Sequence, residues 1–217
     1  MIRIYQGDSY NTIVDGCIFE NFDRLCIQAH GQRHQEKCGC VVCNNYFTDC
    51  RMGVHVIGEF TRMYANEYLR CIIGCTLKGG NSNNYGEIFK CCDVGYYFPF
   101  DAVAHNEIVS VEAAHCGLAG MYLRRLQKVF GCVVTGCHFP DAPIIGADVN
   151  NLYISSSLIS TYLKYDSGKH NAIVSCNIRQ AYQYDQTEQF QVPADTLITL
   201  NRAMDDDDDA DVNWPTT

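Results

Sequence analysis

Long apolar runs are missing from this sequence: nothing approaches the ~18–20 consecutive apolar residues that a membrane-spanning helix needs. The opening residues Met1-Ile2-Arg3-Ile4-Tyr5-Gln6-Gly7-Asp8 lack the apolar segment of a signal peptide. Neither membrane insertion nor classical export is therefore expected, and the chain reads as soluble. Basic charge is also scarce, with 16 Lys and Arg against 25 Asp and Glu and a net charge of −9. Asp205 to Asp209 and Asp211 supply six of those acids and no base follows Met204, so residues 1–204 are close to neutral. A nearly neutral body with an acidic tail offers no surface that tracks phosphates, which argues against nucleic acid as a partner. It gives little attraction to anionic lipid either, so no membrane partner is expected.

Signatures of nucleotide and hydrolase chemistry are absent as well. There is no Gly-x-Ser-x-Gly elbow, and Gly79-Gly80-Asn81-Ser82 lacks the lysine of a phosphate-binding loop. No cofactor is expected. Helical periodicity of 10 to 15 residues between the short apolar segments is missing too, which excludes βαβ repeats.

What remains is rich in core formers. The 217 residues are 47% hydrophobic and 19% charged, enough for one domain with a substantial core. Fourteen cysteines are unusual for this length; they could form a disulfide framework, bind metal or serve as small hydrophobes. A disulfide scaffold is normally short and poor in core residues, so mostly reduced thiols are expected.

One phrase recurs: a turn residue, two β-branched or apolar residues, Gly or Ser, Cys, any residue and an apolar residue. Its best copies are Asn11-Thr12-Ile13-Val14-Asp15-Gly16-Cys17-Ile18-Phe19, Cys71-Ile72-Ile73-Gly74-Cys75-Thr76-Leu77, Cys132-Val133-Val134-Thr135-Gly136-Cys137-His138-Phe139 and Asn171-Ala172-Ile173-Val174-Ser175-Cys176-Asn177-Ile178. Weaker copies start at Cys40, Asn106 and Asn151. Seven units of roughly 20 to 31 residues follow, each with two or three short strands. Such units suit an all-β solenoid of about seven coils, in which a residue type favoured at one corner stacks as a ladder. Cysteines would stack inward, and Asn11, Asn66, Asn106, Asn150, Asn151 and Asn171 would stack at turns.

The phrase and its period resemble the right-handed, single-stranded parallel β-helix of the pectate-lyase-like superfamily, shared by polysaccharide-degrading enzymes and by bacteriophage tailspikes and virion appendages. The resemblance covers about residues 11–180, within a β-helix domain of residues 1–200 followed by an acidic tail, 201–217. The family's catalytic motifs do not occur: Ala29-His30-Gly31 and Asn177-Ile178-Arg179 only approach them. The resemblance implies a virion or cell-surface assembly made in a reducing cytosol. Its partners would be a homo-oligomer, a trimer by family habit, or other virion subunits, with polysaccharide as a further candidate.

Three constellations remain as candidate chemistry. His30, His34, Cys38, Cys40 and Cys43 have ligand types that zinc accepts; because Cys40 and Cys43 lie in a strand phrase, the favoured reading is a polar loop leaving one coil, with no metal. Asp93, Asp101, His105 and Glu107 lie near the aromatic run Tyr96-Tyr97-Phe98-Pro99-Phe100. Glycosidase chemistry needs two carboxylates beside a sugar, and Tyr96, Tyr97, Phe98 and Phe100 could stack on one, although the run also reads as a loop covering the solenoid flank. Tyr64, Tyr68, Tyr122, Tyr153, Tyr162, Tyr165, Tyr182 and Tyr184 recur near strand ends. The bare ends of the solenoid and the tail Asp205 to Thr217 call for covering partners. The resulting expectation is a structural or adhesive protein, with a polysaccharide lyase or glycoside hydrolase as the alternative.

Overall fold

Short strands of period two, joined by turns that need a left-handed residue, account for nearly every described segment. The structure, a computed structural model, describes residues 1–4, 12–30, 40–99, 105–124, 132–140, 142–147, 149–150, 152–159, 163–165, 171–179, 190–191, 196–199 and 202–204. Among them are 27 strands and no helix. The strands form three sheets of nine, and every pairing is parallel to the strand one coil away. The fold is therefore an all-β parallel solenoid, as the repeat implied, and the seven phrases sample a stack of nine coils.

Each coil gives one strand to each sheet in turn. Coil 4 runs through Ile73–Leu77 in the first sheet, Asn83–Tyr85 in the second and Ile88–Lys90 in the third; coil 5 runs through Val94–Phe98, Asn106–Val109 and Glu112–Ala114. Corners are sharp because one residue at each adopts positive φ. From second to third sheet these include Gly16, Asn44, Ala65, Gly86, Ser110 and Gly136, and from third to first Asn21, Asp49, Arg70, Cys91 and His115. A single left-handed residue turns the chain from one sheet into the next without a loop. The last coil includes Phe190–Gln191, Leu197–Thr199 and Arg202–Met204.

Aromatic rings fill the core in a column. Phe19, Phe47, Tyr68 and Phe89 face inward from the third sheet, with ring centroids 4.9, 4.8 and 4.6 Å apart and planes within 13° of parallel. Ala113 takes the next place, and Tyr96 from the first sheet turns its edge to Phe89 at 4.7 Å. The column fits because the facing positions of the first sheet are small: Gly53, Gly74, Gly95 and Gly120 lie in register. A Cβ on Gly53 would sit 2.6 Å from the Tyr68 ring, and one on Gly74 would overlap Phe89. Gly74→Ala is accordingly expected to cost about 1–3 kcal/mol by overpacking, read as a fall of several degrees in Tm; an unchanged Tm would show that the rings do not rest on this backbone.

Cysteines hold two corners. Of the thirteen described, none is in a disulfide; all are buried except half-buried Cys17 and exposed Cys91. Cys50, Cys71 and Cys92 stack between third and first sheets, each donating from sulfur to carbonyl oxygens at 3.2–3.8 Å, as with Cys71 to Phe47 and Leu69. Cys137 and Cys176 do the same between second and third sheets. The thiol is a small apolar filler that also meets a turn carbonyl. One phrase copy is out of register with the others: Cys71 to Leu77 is a corner and first-sheet strand, whereas the other copies are second-sheet strands leading to the third. Its Gly74 is buried in a strand under Phe89, while Gly16 and Gly136 occupy corners at φ of 65° and 62°.

Candidate functional site

Consecutive aromatic residues in a strand must split between its two faces, because side chains alternate. Tyr96 and Phe98 therefore point into the core and are fully buried, while Tyr97 points out. This corrects the reading of Tyr96 to Phe100 as a loop, and it removes Tyr96 and Phe98 from any surface contact with a glycan; Phe100 lies outside the described residues. One coil further, Tyr122 stands in register with Tyr97. The two rings lie side by side, 5.7 Å apart and tilted by 39°. Arg124, exposed at the end of the same strand, interacts with Tyr97, and that interaction raises the guanidinium above its ordinary value. Along the same row stand His55 and Thr76 on one side and Ile145 on the other.

This surface combines two partly exposed rings, two hydroxyls and one cation. Such a set can press on the C–H face of a pyranose while bonding its hydroxyls, and the guanidinium favours a carboxylate-bearing sugar.

The two predicted acids among the described residues do not converge on it. Asp93 is exposed at the turn that enters the first sheet, whereas Glu107 is on the outer face of the second sheet, accepting hydrogen bonds from the Tyr85 hydroxyl at 2.6 Å and Asn83 Nδ2 at 3.3 Å. The corner bearing Asp93, between third and first sheets, is opposite the second-sheet face, so these two carboxylates do not flank one sugar. His105 is exposed at φ 70° with Nδ1 3.0 Å from Asn81 Oδ1. Asp101 lies outside the described residues.

The histidine and cysteine run is also dispersed where it is described. Cys40 is in the core with its sulfur 3.6 Å from Thr61 Oγ1, and Cys43 faces out beside Tyr64 and Asp15. His30 follows a first-sheet strand, where burial and Arg3 lower its basicity; His34 and Cys38 lie outside the described residues. Among the described residues no three His, Cys, Asp or Glu side chains come together around a metal position.

Of the strand-end tyrosines, Tyr68 is in the core and Tyr122 on the first-sheet surface, while Tyr64 and Tyr153 are exposed on the second. Tyr165 lies in a short strand whose side chains are not described, and Tyr162, Tyr182, Tyr184 and residues 205–217 fall outside the described residues.

One buried acid escaped the sequence reading. At the corner between second and third sheets, Asn45 and Asn66 form a ladder: Asn45 donates from N and Nδ2 to Asn66 Oδ1 at 3.0 and 2.9 Å, and Asn66 donates in turn to Glu87 Oε1 at 3.2 and 2.9 Å. The Tyr68 hydroxyl donates to Glu87 Oε2 at 2.9 Å. Asn45 and Asn66 also donate back from Nδ2 to the carbonyls of Val14 and Val42 at 2.9 Å, and the next corner position is apolar Val111, so the ladder ends at the Glu87 carboxyl, which accepts from Asn66 and Tyr68. Burial nonetheless pushes Glu87 up to about 8, against the pull of Asn66 and Tyr68. Burial also pushes the Cys75 thiol and the Tyr68 and Tyr96 phenols well up. Asn45, Asn66 and Glu87 recur at 21-residue intervals, the one signal from which this site was readable. On the surface, Arg70 grips Asp49 with two bonds of 2.7 Å and holds its carboxyl at about 2.

The chain matches no family model and no curated protein. Among solved structures it is similar to QnrB1, a plasmid-mediated fluoroquinolone resistance protein, at 14% identity and a TM-score of 0.27 over 87% of this chain and 92% of that one.

Proposed function

We propose that this chain is a structural and adhesive β-solenoid of the appendage type, which holds a surface glycan on the outer face of its first sheet. The observation that carries this reading is the side-by-side pair Tyr97 and Tyr122, presented in register by adjacent coils and bordered by Arg124. Rings fixed on paired strands lose little freedom on binding, which favours recognition of a repetitive polymer. The three-sheet coil, the Asn ladders and the inward cysteines support kinship with the right-handed pectate-lyase-like β-helices, and with it a place in a virion or cell-surface assembly.

The test is retention on a panel of acidic and neutral polysaccharides, with new chain ends followed in the same samples. Retention is expected without cleavage, and Tyr97→Ala with Tyr122→Ala should weaken it at least tenfold, since ring stacking is worth about 1–3 kcal/mol per contact. New chain ends would turn the assignment to a polysaccharide lyase or hydrolase. Retention unchanged in the double variant would remove the glycan from this face.

A further inference from the structure

The outer face of the second sheet is a different surface, and it has a symmetry in its sequence. Six of the eleven exposed large apolar side chains among the described residues lie on it: Ile13, Tyr64, Tyr85, Val133, Tyr153 and Leu197. Tyr64 adjoins Tyr85 in register, as Val133 adjoins Tyr153, and contiguous exposed apolar groups are what a contact surface presents. Its register is fixed by the strand pairing. Along the first outer row stand Ile13, Val41, Arg62, Asn83, Glu107, Val133 and Tyr153, one per coil from coil 1 to coil 7. The second row holds Asp15, Cys43, Tyr64, Tyr85, Val109, Thr135 and Ser155 over the same coils.

Both rows are self-complementary about coil 4. A two-fold axis along the strand direction at Asn83 and Tyr85 sets coil 3 of one chain against coil 5 of the other, coil 2 against coil 6 and coil 1 against coil 7. Arg62 then faces Glu107, Val41 faces Val133 and Ile13 faces Tyr153. In the second row Tyr64 faces Val109 and Asp15 faces Ser155. The charges select this register. An axis at coil 3 would set Arg62 against its own copy, and an axis at coil 5 would do so for Glu107, each placing like charges together. Arg62 is exposed and makes no ion pair within the chain among the described residues, while Glu107 keeps an oxygen toward Tyr85 and Asn83.

We propose that the second sheet binds a second copy of this chain, face to face with antiparallel solenoid axes, in a closed two-fold dimer centred on coil 4. A two-fold contact uses one patch twice, so each pair, including Arg62 with Glu107, occurs twice in the interface. The proposal does not rest on the glycan reading, which concerns the first sheet.

Sedimentation of the purified full chain tests it. The wild type is expected to sediment as a dimer, and Arg62→Glu or Glu107→Arg alone to shift it to monomer, by at least a tenfold loss in association. The double reversal, Arg62→Glu with Glu107→Arg, should restore the dimer. Val133→Lys, remote from the hydrogen bonds of Glu107, should also give monomer that still unfolds cooperatively, at a Tm that no longer depends on protein concentration. A wild type that sediments as monomer or trimer would overturn the proposal, as would dimers that persist in Val133→Lys. So would folded double-reversal protein that stays monomeric. Glycan retention measured on Val133→Lys separates the two faces: it should be unchanged if the first-sheet reading holds.

Discussion

Phe89→Ala is expected to remove about 3–5 kcal/mol of folding stability, a large share of the ~5–15 kcal/mol that a domain possesses. The ring is fully buried. It stacks on Tyr68 at 4.6 Å, meets the edge of Tyr96 at 4.7 Å and lies against the bare backbone of Gly74. Truncation leaves a cavity that the structure cannot easily close, because the surrounding strands are held on both sides by parallel pairing with neighbouring coils. A solenoid coil contacts only its neighbours, so protection against hydrogen exchange should fall first between Arg62 and Phe98 and less at the ends. Chemical denaturation reads the total. A loss below about 1 kcal/mol would show that the column of rings is not a principal source of stability. Phe89→Leu, which keeps most of the apolar volume, should lose markedly less.

Glu87→Gln is expected to act in the opposite direction and only at higher pH. The buried carboxyl has its folded-state value near 8 against an ordinary value of 4.5. Because the folded value is the higher one, its stabilising contribution is complete below about pH 4.5 and is lost as pH rises through 8, where it levels off. The loss amounts to up to roughly 5 kcal/mol. Glutamine keeps the shape, accepts from Asn66 through Oε1 and can donate to the Tyr68 oxygen, but it cannot ionise. The groups packed around it, Tyr68, Tyr96 and Cys75, are all pushed up by burial, so they stay neutral over this range and titrate alike in both proteins. Denaturation midpoints at pH 5 and pH 9 decide the matter: the two proteins should agree at pH 5, and the variant should be the more stable at pH 9. Equal midpoints at pH 9 would mean that the carboxyl is not held in its neutral form by burial.

The repeat was legible because each coil needs the same residue type at the same corner. Asn66 and Asn171 read as turn residues and stand just ahead of strands, whereas Asn106 opens one; Asn106 and Asn171 donate to the carbonyls of Gly79 and Val149 at 3.2 and 2.8 Å. The inward placing of the cysteines was legible for the same reason. The register of Cys71 to Leu77 was not, because a Gly-Cys pair looks alike whether its glycine turns a corner or lies flat under a ring. The aromatic run was opaque too, since adjacent rings conceal the period of two that sends Tyr96 and Phe98 inward and Tyr97 outward.

The sequence by itself determined the class of fold, the corner ladders and the reduced thiols of the core, all of which are local or periodic properties that repeat from coil to coil. Only the tertiary structure decided which residues meet across coils. Tyr97 stands beside Tyr122, Glu87 ends a ladder begun at Asn45, and Arg62 lies two coils from Glu107 on one face. The physical reason is that coil lengths vary, with 28, 21, 21 and 24 residues separating Cys17, Asn45, Asn66, Glu87 and Val111. Neighbours in the stack therefore follow from strand pairing, which hydrogen bonds between coils fix, and no constant spacing along the chain reveals them.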